Sequence, residues 1–442
     1  METQDITAVL PSGKQQTVTL AVSAKVQELK EILQRCFDQQ FLVILDARGA
    51  VLRVDEMITS AASARCVTCV ARFPCLASTW QAFALWCHND RVVTWGHPAY
   101  GSDSSGVCER LRKVVQIVAS AGAFAAVTSD GSVVTWGKPK MVADTAMVRQ
   151  QLYDVRSVTA AAQGAFAALR HDGSVVTWGD PFCGGDSSAV QAKLKGVTQI
   201  HSTDTAFAAI LLDGSVVAWG DLSNGGDSSM VQDRLQGIVN VQGNPSAFAA
   251  VTEEGSLVTW GDATLGGDSS VIRSKLQQKV RQVTPSLKGF FAILEDWSLI
   301  YWGGTSGIGM SAVKHQLTSV RQICSTMNSF AALRQDGSVV TWGSEASGGN
   351  SCSVQAQLQD VQEIFSTSGA FAALRTDDTV VIWGLPDLGG SINSPGMLTG
   401  VKFIHGSAKA FAAVRHNGSI VTWGAQDGGG DSSAVQSAFA TF

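Results

Sequence analysis

Apolar and polar positions recur in the same order along most of this chain, and residues 329–358 show that order most clearly. Two apolar runs, residues 330–333 and 339–342, lie on either side of Asp336 and Gly337. An Asp-Gly pair between two such runs is a strong short-range signal of a β-hairpin. The pattern therefore predicts two antiparallel strands at the start of the unit.

Further apolar positions follow and precede each hairpin. After the hairpin come Val354 and Leu358, an i,i+4 pair behind Ser351, whose hydroxyl can cap backbone N–H groups. This spacing predicts a short amphipathic helix. Before each hairpin lies another apolar segment, such as residues 361–365 or 197–201, which predicts a further strand. Each unit is therefore expected to contain three strands and a helical turn.

The unit recurs nine times, at intervals of roughly 41 residues. A Trp-Gly pair ends each hairpin, at Trp95, Trp136, Trp178, Trp219, Trp260, Trp302, Trp342, Trp383 and Trp423. The i,i+4 pair keeps the same step except in the eighth unit, where Ser394, Pro395 and Gly396 intervene. A repeat of this length cannot bury its own apolar faces, so neighbouring units must stack to form a core.

The composition of the strands indicates how the units stack. Residues 165–169 and 175–178 are apolar at successive positions, so both faces of each sheet should be covered. Small alanine side chains allow adjacent sheets to approach, while one Phe and one Trp per unit fill the remaining volume. The predicted fold class is mainly β, with a β-propeller-like array of nine repeats over residues 73–442.

Residues 5–72 lack the repeat and have a different order of elements. The pattern predicts strands over residues 6–10, 17–22, 41–45, 51–52 and 66–71, with a helix over residues 23–37. This β-β-α-β-β-β order resembles that of a ubiquitin-like β-grasp domain. No Gly-Gly end follows Arg72, so we expect a built-in domain and not a conjugated modifier. The resemblance implies a docking surface on the exposed sheet face with Val43 and Val70; the alternative is that the apolar residues are only core.

Composition and charge exclude several classes of protein. Of the 442 residues, 45% are hydrophobic and 16% are charged, which is ample for a large core. The net charge of -5 provides no basic footprint for nucleic acid. The sequence has no uncharged apolar run long enough to span a membrane and no signal-peptide pattern at its start. We expect a monomer of the cytoplasm or nucleus that binds neither nucleic acid nor membrane.

The nine cysteines are odd in number and occupy unlike repeat positions, which argues against a disulfide framework. The one cluster, Cys66 and Cys69 with Cys75 and Cys87, has to be weighed as a zinc site. Residues 66–71 are expected to form a strand, in which residues three apart point to opposite faces. Buried free thiols are therefore the preferred interpretation.

Recurrent aspartates suggest a calcium hypothesis, because carboxylates on Gly-rich loops suit a hard cation. They precede the predicted helices at Asp103, Asp186, Asp227, Asp268 and Asp431. Each loop offers one carboxylate only, so helix capping is favoured.

The seven histidines fall at different repeat positions, and no known nucleophile, phosphate-loop or metalloprotease motif is present. We expect no catalytic residue, metal or cofactor, and therefore no enzyme.

The hairpin F-A-A-L-R-x-D-G-S-V-V-T-W-G resembles the signature hairpin of the regulator-of-chromosome-condensation repeat family across residues 73–442. The short period is closer to the branch typified by a secreted beta-lactamase inhibitory protein. Three departures affect the expected number of blades and their closure. The Gly-x-x-His of the family is replaced by small residues, its Gly-Gln-leucine-Gly loop by Gly-Gly-Asp-Ser-Ser, and nine units exceed the usual seven.

The loops after each Trp-Gly pair differ between units and are the expected place for binding. Six of them carry an apolar side chain at roughly corresponding points: Tyr100, Phe182, Leu222, Leu265, Ile308 and Leu388. A closed array would gather these residues on one rim, where they could form a surface for a protein partner. The alternative is that each covers the core beneath its own helical turn.

These features favour a non-enzymatic interaction scaffold or adaptor, with protein partners that include components of the ubiquitin system. The alternative implied by the repeat resemblance is a substrate-recognition module related to HECT-type ubiquitin ligases, or a guanine-nucleotide exchange factor for a small GTPase. A ligand-binding propeller such as a lectin comes third, because the loops carry few aromatic residues. Recent duplication with little selected binding function is the plainest alternative.

Overall fold

The computed structural model describes residues 3–9, 15–21, 42–45, 66–71, 76–86, 91–142, 145–276, 278–304, 309–392 and 394–439. It divides into two compact units, Met1–Cys75 and Leu76–Phe442. No helix within the described ranges is long and apolar enough to cross a membrane.

The first unit contains a mixed four-stranded sheet. Its strands are β1 (Thr3–Val9), β2 (Gln15–Ala21), β3 (Leu42–Leu45) and β4 (Cys66–Ala71), in the order β2-β1-β4-β3. The central pair β1–β4 is parallel and the two outer pairs are antiparallel. Four of the five predicted strands are confirmed here, whereas the helix over residues 23–37 and the strand over 51–52 lie outside the described residues. The β-grasp assignment stays a prediction.

The second unit contains nine antiparallel three-stranded sheets, which we number as blades 1 to 9. Blades 1 to 3 are β5–β7 (Leu76–Ser78, Ala82–Trp86, Val92–Gly96), β8–β10 (Val114–Ala119, Ala123–Thr128, Val133–Gly137) and β11–β13 (Val155–Ala161, Ala165–Arg170, Val175–Gly179). Blades 4 to 6 are β14–β16 (Val197–Ser202, Ala206–Leu211, Val216–Gly220), β17–β19 (Ile238–Gly243, Ala247–Thr252, Leu257–Gly261) and β20–β22 (Val280–Ser286, Gly289–Leu294, Leu299–Gly303). Blades 7 to 9 are β23–β25 (Val320–Ser325, Ser329–Arg334, Val339–Gly343), β26–β28 (Val361–Ser366, Ala370–Arg375, Val380–Gly384) and β29–β31 (Val401–Gly406, Ala410–Arg415, Ile420–Gly424). The predicted three-stranded repeat is confirmed.

Each blade is apolar on both faces, as the sequence predicts. In blade 3 the middle strand β12 is buried at Ala165, Phe166, Ala167, Ala168 and Leu169. The Phe of each middle strand is the register partner of the Trp on the third strand. In all nine blades these two rings stack, with centroids 5.0 to 5.4 Å apart. The small alanines and the aromatic pair together fill the space between sheets.

The core lies between neighbouring blades. Between blades 3 and 4, for example, Ala167 and Leu169 of the middle strand pack in one buried cluster with Phe207 and Trp219 of the next blade. Because every sheet needs a neighbour on each face, the end blades of an open array would leave apolar surface in water.

Blades 9 and 1 meet in the same way, so the array closes into a ring. Phe83 and Trp95 of blade 1 lie in one buried cluster with Ala410 and Ala412 of blade 9. The Trp95 Nε1 donates a hydrogen bond of 3.1 Å to the carbonyl of Gly429. Nine repeats therefore form a closed β-propeller.

The connections between blades are helical turns, mostly 3₁₀ and shorter than the predicted amphipathic helices. The 3₁₀ helices are Pro98–Tyr100, Ser105–Arg110, Arg149–Gln151, Pro181–Cys183, Gln191–Lys193, Leu222–Asn224, Ser229–Arg234, Ala263–Leu265, Ser270–Ile272, Lys314–Gln316, Glu345–Ser347, Gln355–Gln357, Pro386–Leu388, Pro395–Met397, Gln426–Gly428 and Ser433–Val435. Four α-helices of one turn are α1 (Pro139–Val142), α2 (Thr145–Val148), α3 (Met310–Val313) and α4 (Gln436–Phe439).

The recurrent aspartates each accept a hydrogen bond from the backbone N–H two residues further on, just before or at the start of these turns, and do not occupy the N-cap position itself. Asp186, for example, accepts a hydrogen bond from the Ser188 backbone N–H at 2.8 Å, and this bond lowers the pKa of its carboxyl. The serine expected to cap has a different role: Ser187 is buried and bonds to Thr177 Oγ1 and Gln191 Oε1. The serine therefore ties the turn to the third strand, and the carboxylate accepts the backbone N–H.

The eighth unit keeps a buried apolar residue that the sequence pattern conceals. Leu398 is buried, in one cluster with Val401 and Ile404 of blade 9. It stands three residues before its strand, as Leu358 stands before Val361. The Ser-Pro-Gly insertion therefore disrupts the i,i+4 sequence pattern, but the loop still places Leu398 in the core.

Candidate protein-binding face

One end of the propeller, which we call the loop face, is built from two sets of segments. The inner turns join the first and second strands of each blade, at residues 79–81, 120–122, 162–164, 203–205, 244–246, 286–288, 326–328, 367–369 and 407–409. The outer turns follow the third strand, at Pro98–Tyr100, Pro181–Cys183, Leu222–Asn224, Ala263–Leu265, Glu345–Ser347, Pro386–Leu388 and Gln426–Gly428. Since the end of the third strand pairs with the start of the second, both sets lie at the same end of the sheet.

An outer turn is held at both of its ends, as blade 4 shows. Asp221 accepts a hydrogen bond from the Ser223 N–H at 2.9 Å, and Gly225 ends the turn in the left-handed conformation at φ 100°. The carbonyl of Gly225 accepts a hydrogen bond from Trp260 Nε1 of the next blade at 2.9 Å. A Cβ on Gly225 would lie 2.6 Å from the Phe248 ring, so only glycine allows this approach.

The same hydrogen bond, from a Trp Nε1 to the carbonyl of the glycine that ends the preceding outer turn, links most neighbouring blades; we call it the glycine clasp. The bonds run from Trp95 to Gly429, Trp136 to Gly101, Trp219 to Gly184, Trp260 to Gly225, Trp302 to Gly266, Trp383 to Gly348 and Trp423 to Gly389. The buried Nε1 atoms of Trp178 and Trp342 have no hydrogen-bond partner among the described residues. In the loop before Trp178, α1 stands where other blades have an outer turn, and in the loop before Trp342 the equivalent residues lie outside the described ranges.

Buried polar side chains join the inner turns to the outer turns. Thr203 Oγ1 accepts a hydrogen bond from the Ala206 N–H at 2.9 Å and donates one to the Asn224 carbonyl at 3.1 Å. Equivalent bonds to an outer turn are made by Thr79, Asn244, Thr326, Thr367 and Ser407. The loop face is therefore a set of braced turns, and a partner that binds it would order little new backbone.

The structure places five of the six predicted loop residues on the loop face, but not at one equivalent position. Tyr100, Leu265 and Leu388 end their outer turns and are half-buried. Phe182 is second in its turn and 85% exposed, and Leu222 is first and 71% exposed.

The other three predicted site residues are Ile308, Val43 and Val70. Ile308 lies outside the described residues. In the first unit, Val43 and Val70 are register partners on β3 and β4. A binding role for any of the predicted residues stays a prediction.

Three exposed apolar residues of the loop face escape the sequence pattern. Trp80, Leu287 and Met327, on the inner turns of blades 1, 6 and 7, are 48%, 42% and 53% exposed. Other units have Ala121, Gln163, Asp204, Pro245, Ser368 and Ala408 at the corresponding place. In the sequence these exposed residues are marked only by a difference between units at one repeat position, and such a difference does not by itself predict exposure.

A cavity of about 350 Å³ opens at the centre of the loop face, and Asp204 is the ionisable residue in its lining. The other walls combine apolar residues such as Pro245 and Leu287 with polar ones such as Asn244 and Ser325. Burial raises the pKa of the Asp204 carboxyl. The cavity therefore places one carboxylate in a mixed polar and apolar lining.

The first strands of the blades carry further titratable groups, whose burial favours their neutral forms. Burial lowers the pKa of both His201 and His405 to about 4, and His405 Nε2 lies 3.1 Å from Ser78 Oγ. Burial, reinforced by the nearby Glu363 carboxylate, raises the pKa of the Cys324 thiol to about 12. A neutral thiol is a poor nucleophile, so this cysteine is not activated for catalysis.

Within the described ranges, no three His, Cys, Asp or Glu side chains come together to hold a metal ion. The proposed zinc cluster is not tested by this, because Cys75 and Cys87 lie outside those ranges. Cys108, Cys183, Cys324 and Cys352 are free thiols.

No protein-family model matches the chain, and no curated protein matches it. Among solved structures, yeast RCC1 (Prp20) bound to Kap60 aligns with a TM-score of 0.40 and 16% identity over 79% of each chain. Prp20p from Saccharomyces cerevisiae, reported with its binding to Gsp1p and histones, gives 0.38 and 16% over 79% of this chain and 82% of that one. The ectodomain of the Physcomitrella patens receptor kinase CR4 gives 0.37 and 14% over 61% and 73%. TM-scores below 0.5 do not establish a shared architecture, so the propeller fold assigned to this chain rests on its own strand pairing and blade contacts.

Proposed function

We propose that the propeller is a non-enzymatic scaffold that binds a protein partner through its loop face. The supporting observation is that Trp80, Leu287 and Met327 expose 48%, 42% and 53% of their surface on braced inner turns. Phe182 and Leu222 add exposed apolar surface on the outer turns. Aromatic and aliphatic side chains on rigid segments are typical anchors of protein interfaces.

The test is a quantitative pull-down with the full-length chain and two double variants. Leu287→Ser with Met327→Ser removes two apolar side chains from the loop face. The matched control, Met230→Ser with Val271→Ser, removes two side chains that are 94% and 72% exposed in the connections outside the loop face. We expect a partner that the wild type and the control retain and the loop-face variant loses. The same set of proteins on all three baits would contradict the proposal.

The same experiment separates a scaffold from an exchange factor. If the retained partner is a small GTPase, release of a fluorescent guanine nucleotide from it is measured with and without the chain. A scaffold leaves the release rate unchanged, whereas an exchange factor accelerates it and would replace the present proposal.

We also propose that the first unit docks a component of the ubiquitin system. Its support is the order of four predicted strands and the pairing of Val43 with Val70 across β3 and β4. The full-length chain and a Val43→Asp, Val70→Asp variant are passed over immobilised ubiquitin-binding domains, with Thr17→Asp on β2 as the control. We expect the immobilised domains to retain the wild type and the control but not the double variant. Equal retention of all three proteins, or of none, would contradict the link to ubiquitin.

A further inference from the structure

A second cavity, of about 500 Å³, lies at the end of blade 2 opposite the loop face. It is next to the turn that joins β9 and β10, residues 129–132. Four basic residues line it: Arg110, Arg112, Lys113 and Arg149. Among the described residues, the acidic residue of its lining is Asp130. This excess of positive charge is local, because the whole chain carries a net charge of -5.

Beside this cavity blade 2 lacks an arginine that several other blades have at the end of the second strand; blades 4, 5 and 6 also lack it. In blades 3, 7 and 8 the second strand ends in Arg170, Arg334 and Arg375. Each Nε donates to a backbone carbonyl just before the first strand, that of Tyr153, Thr318 and Gln359, at 3.2 to 3.3 Å. In blade 2 the equivalent residue is Thr128, whose hydroxyl donates to Asp130 at 2.6 Å. The shorter side chain leaves the space of a guanidinium open.

The basic residues come from two separate connections and are not explained by local pairing alone. Arg112 forms an exposed ion pair of 2.7 Å with Glu109, and Arg110 donates to the Val133 carbonyl at 3.4 Å. Asp130 keeps a lowered pKa through bonds from Thr128 and Ser132, so it stays charged and offsets one cation. The remaining charge in the lining is still positive.

Lys113 has a backbone conformation that a lysine rarely adopts. Its φ is 53°, and the same repeat position has a positive φ in six other units, which carry Gly196, Gly237, Gly400, Asp154, Ser319 and Asp360. Three units carry glycine here, so Lys113→Gly is compatible with the conformation of this turn.

We propose that this cavity binds a phosphomonoester dianion. Guanidinium groups form paired hydrogen bonds to phosphate oxygens, and several cations around one space suit a dianion better than a carboxylate. The volume is within the range of small-ligand sites. The phosphate is carried either by a free small molecule or by a phosphorylated side chain, and the chemistry recognised is the same. The site is independent of the loop face and of the proposed scaffold function.

The probes are phosphoserine, a short phosphoserine peptide, its unphosphorylated form and acetate, titrated calorimetrically into the full-length protein. The test variant is Lys113→Gly with Arg149→Gln, which introduces the residues that other units carry at these positions, Gly196 and Gln191. The control is Lys279→Gly with Lys314→Gln, which removes two cations from the same repeat positions around blade 6. There Leu294 stands in place of Thr128. Thermal unfolding of both variants verifies that they fold.

We expect the wild type and the control to bind phosphoserine with similar, salt-sensitive affinity, and the test variant to bind at least about tenfold more weakly. Tighter binding of the phosphopeptide than of phosphoserine would assign the ligand to a protein segment, and the reverse to a small molecule. Equal affinity in all three proteins, equal binding of acetate and phosphoserine, or no binding of either phosphate probe by the wild type would overturn the proposal.

Discussion

Gly225 determines how closely an outer turn approaches the next blade. Its φ of 100° and the Phe248 ring 2.6 Å from a would-be Cβ leave no room for a side chain. The left-handed backbone and the close contact with the Phe248 ring therefore both require glycine at this position. The same coincidence occurs at Gly184 and Gly266, which lie against Phe207 and Phe290.

Replacing Gly225 with alanine should destabilise the propeller by about 1–3 kcal/mol, because the methyl group meets a buried ring and the backbone is left-handed. Gly106→Ala is the control, since its Cβ would meet no atom within 4 Å. Urea unfolding measures both. A Gly225→Ala variant as stable as Gly106→Ala would show that the outer turn moves away from Phe248 at no cost.

At the scale of elements, the clasp between a turn and the next blade differs from one junction to another. Trp219 Nε1 donates to Gly184 at 3.0 Å, whereas Trp178 has no partner among the described residues. Both indoles are buried and stack on a phenylalanine. The two junctions are therefore a matched pair for measuring the hydrogen bond.

Trp219→Phe should cost about 1 kcal/mol more in free energy of unfolding than Trp178→Phe, because only the first leaves a carbonyl without its donor. Urea denaturation of the two variants, compared with the wild type, provides the measurement. Equal losses would mean that packing accounts for the whole contribution of these tryptophans.

Strands were largely predictable from the sequence, and the connections were not. Continuous apolar runs on either side of an Asp-Gly turn define the hairpins, because burial on both faces leaves an unbroken apolar pattern such as that of β12. The connections were expected to be amphipathic helices, but short turns ending in left-handed glycines such as Gly225 are mostly 3₁₀. The exposure of Met327 and Leu287 could not be predicted from a sequence pattern, because the exposure of an inner turn depends on how the neighbouring blades pack.

At the scale of the whole molecule, two half-buried histidines of the first strands make stability depend on pH. Both His201 and His405 have a pKa lowered from 6.5 to about 4, so the folded chain resists protonation that the unfolded chain accepts. Stability from the neutral histidines is complete above pH 6.5 and is lost as the pH falls toward 4. Asp204 and Glu363, whose pKa values are raised, act in the opposite direction.

The free energy of unfolding should therefore fall less between pH 6.5 and 4 in a His201→Gln, His405→Gln variant than in the wild type. His315→Gln, at an exposed position, serves as the control and should keep the wild-type slope. Urea unfolding across this pH range gives the slopes, and parallel curves for all three proteins would refute the effect.

Closure of nine blades into one ring is the central feature of the molecule, because it creates both the loop face and the cavity at its centre. The sequence supplies the number of units but not the angle between successive sheets, on which closure depends. In the structure, Ser78 Oγ on blade 1 lies 3.1 Å from His405 Nε2 on blade 9. His201 occupies the same repeat position on blade 4, so the expectation that all histidines fall at different repeat positions is wrong.

The most direct test is cross-linking of Ser78→Cys with His405→Cys by a short bismaleimide, in a Cys324→Ser background, with the linked peptides identified by mass spectrometry. The control pairs Ser78→Cys with His201→Cys. A closed ring predicts a cross-link between positions 78 and 405 and none between 78 and 201. Absence of the 78–405 link, in a protein whose two introduced cysteines both react with a monofunctional maleimide, would contradict closure and leave an open superhelix.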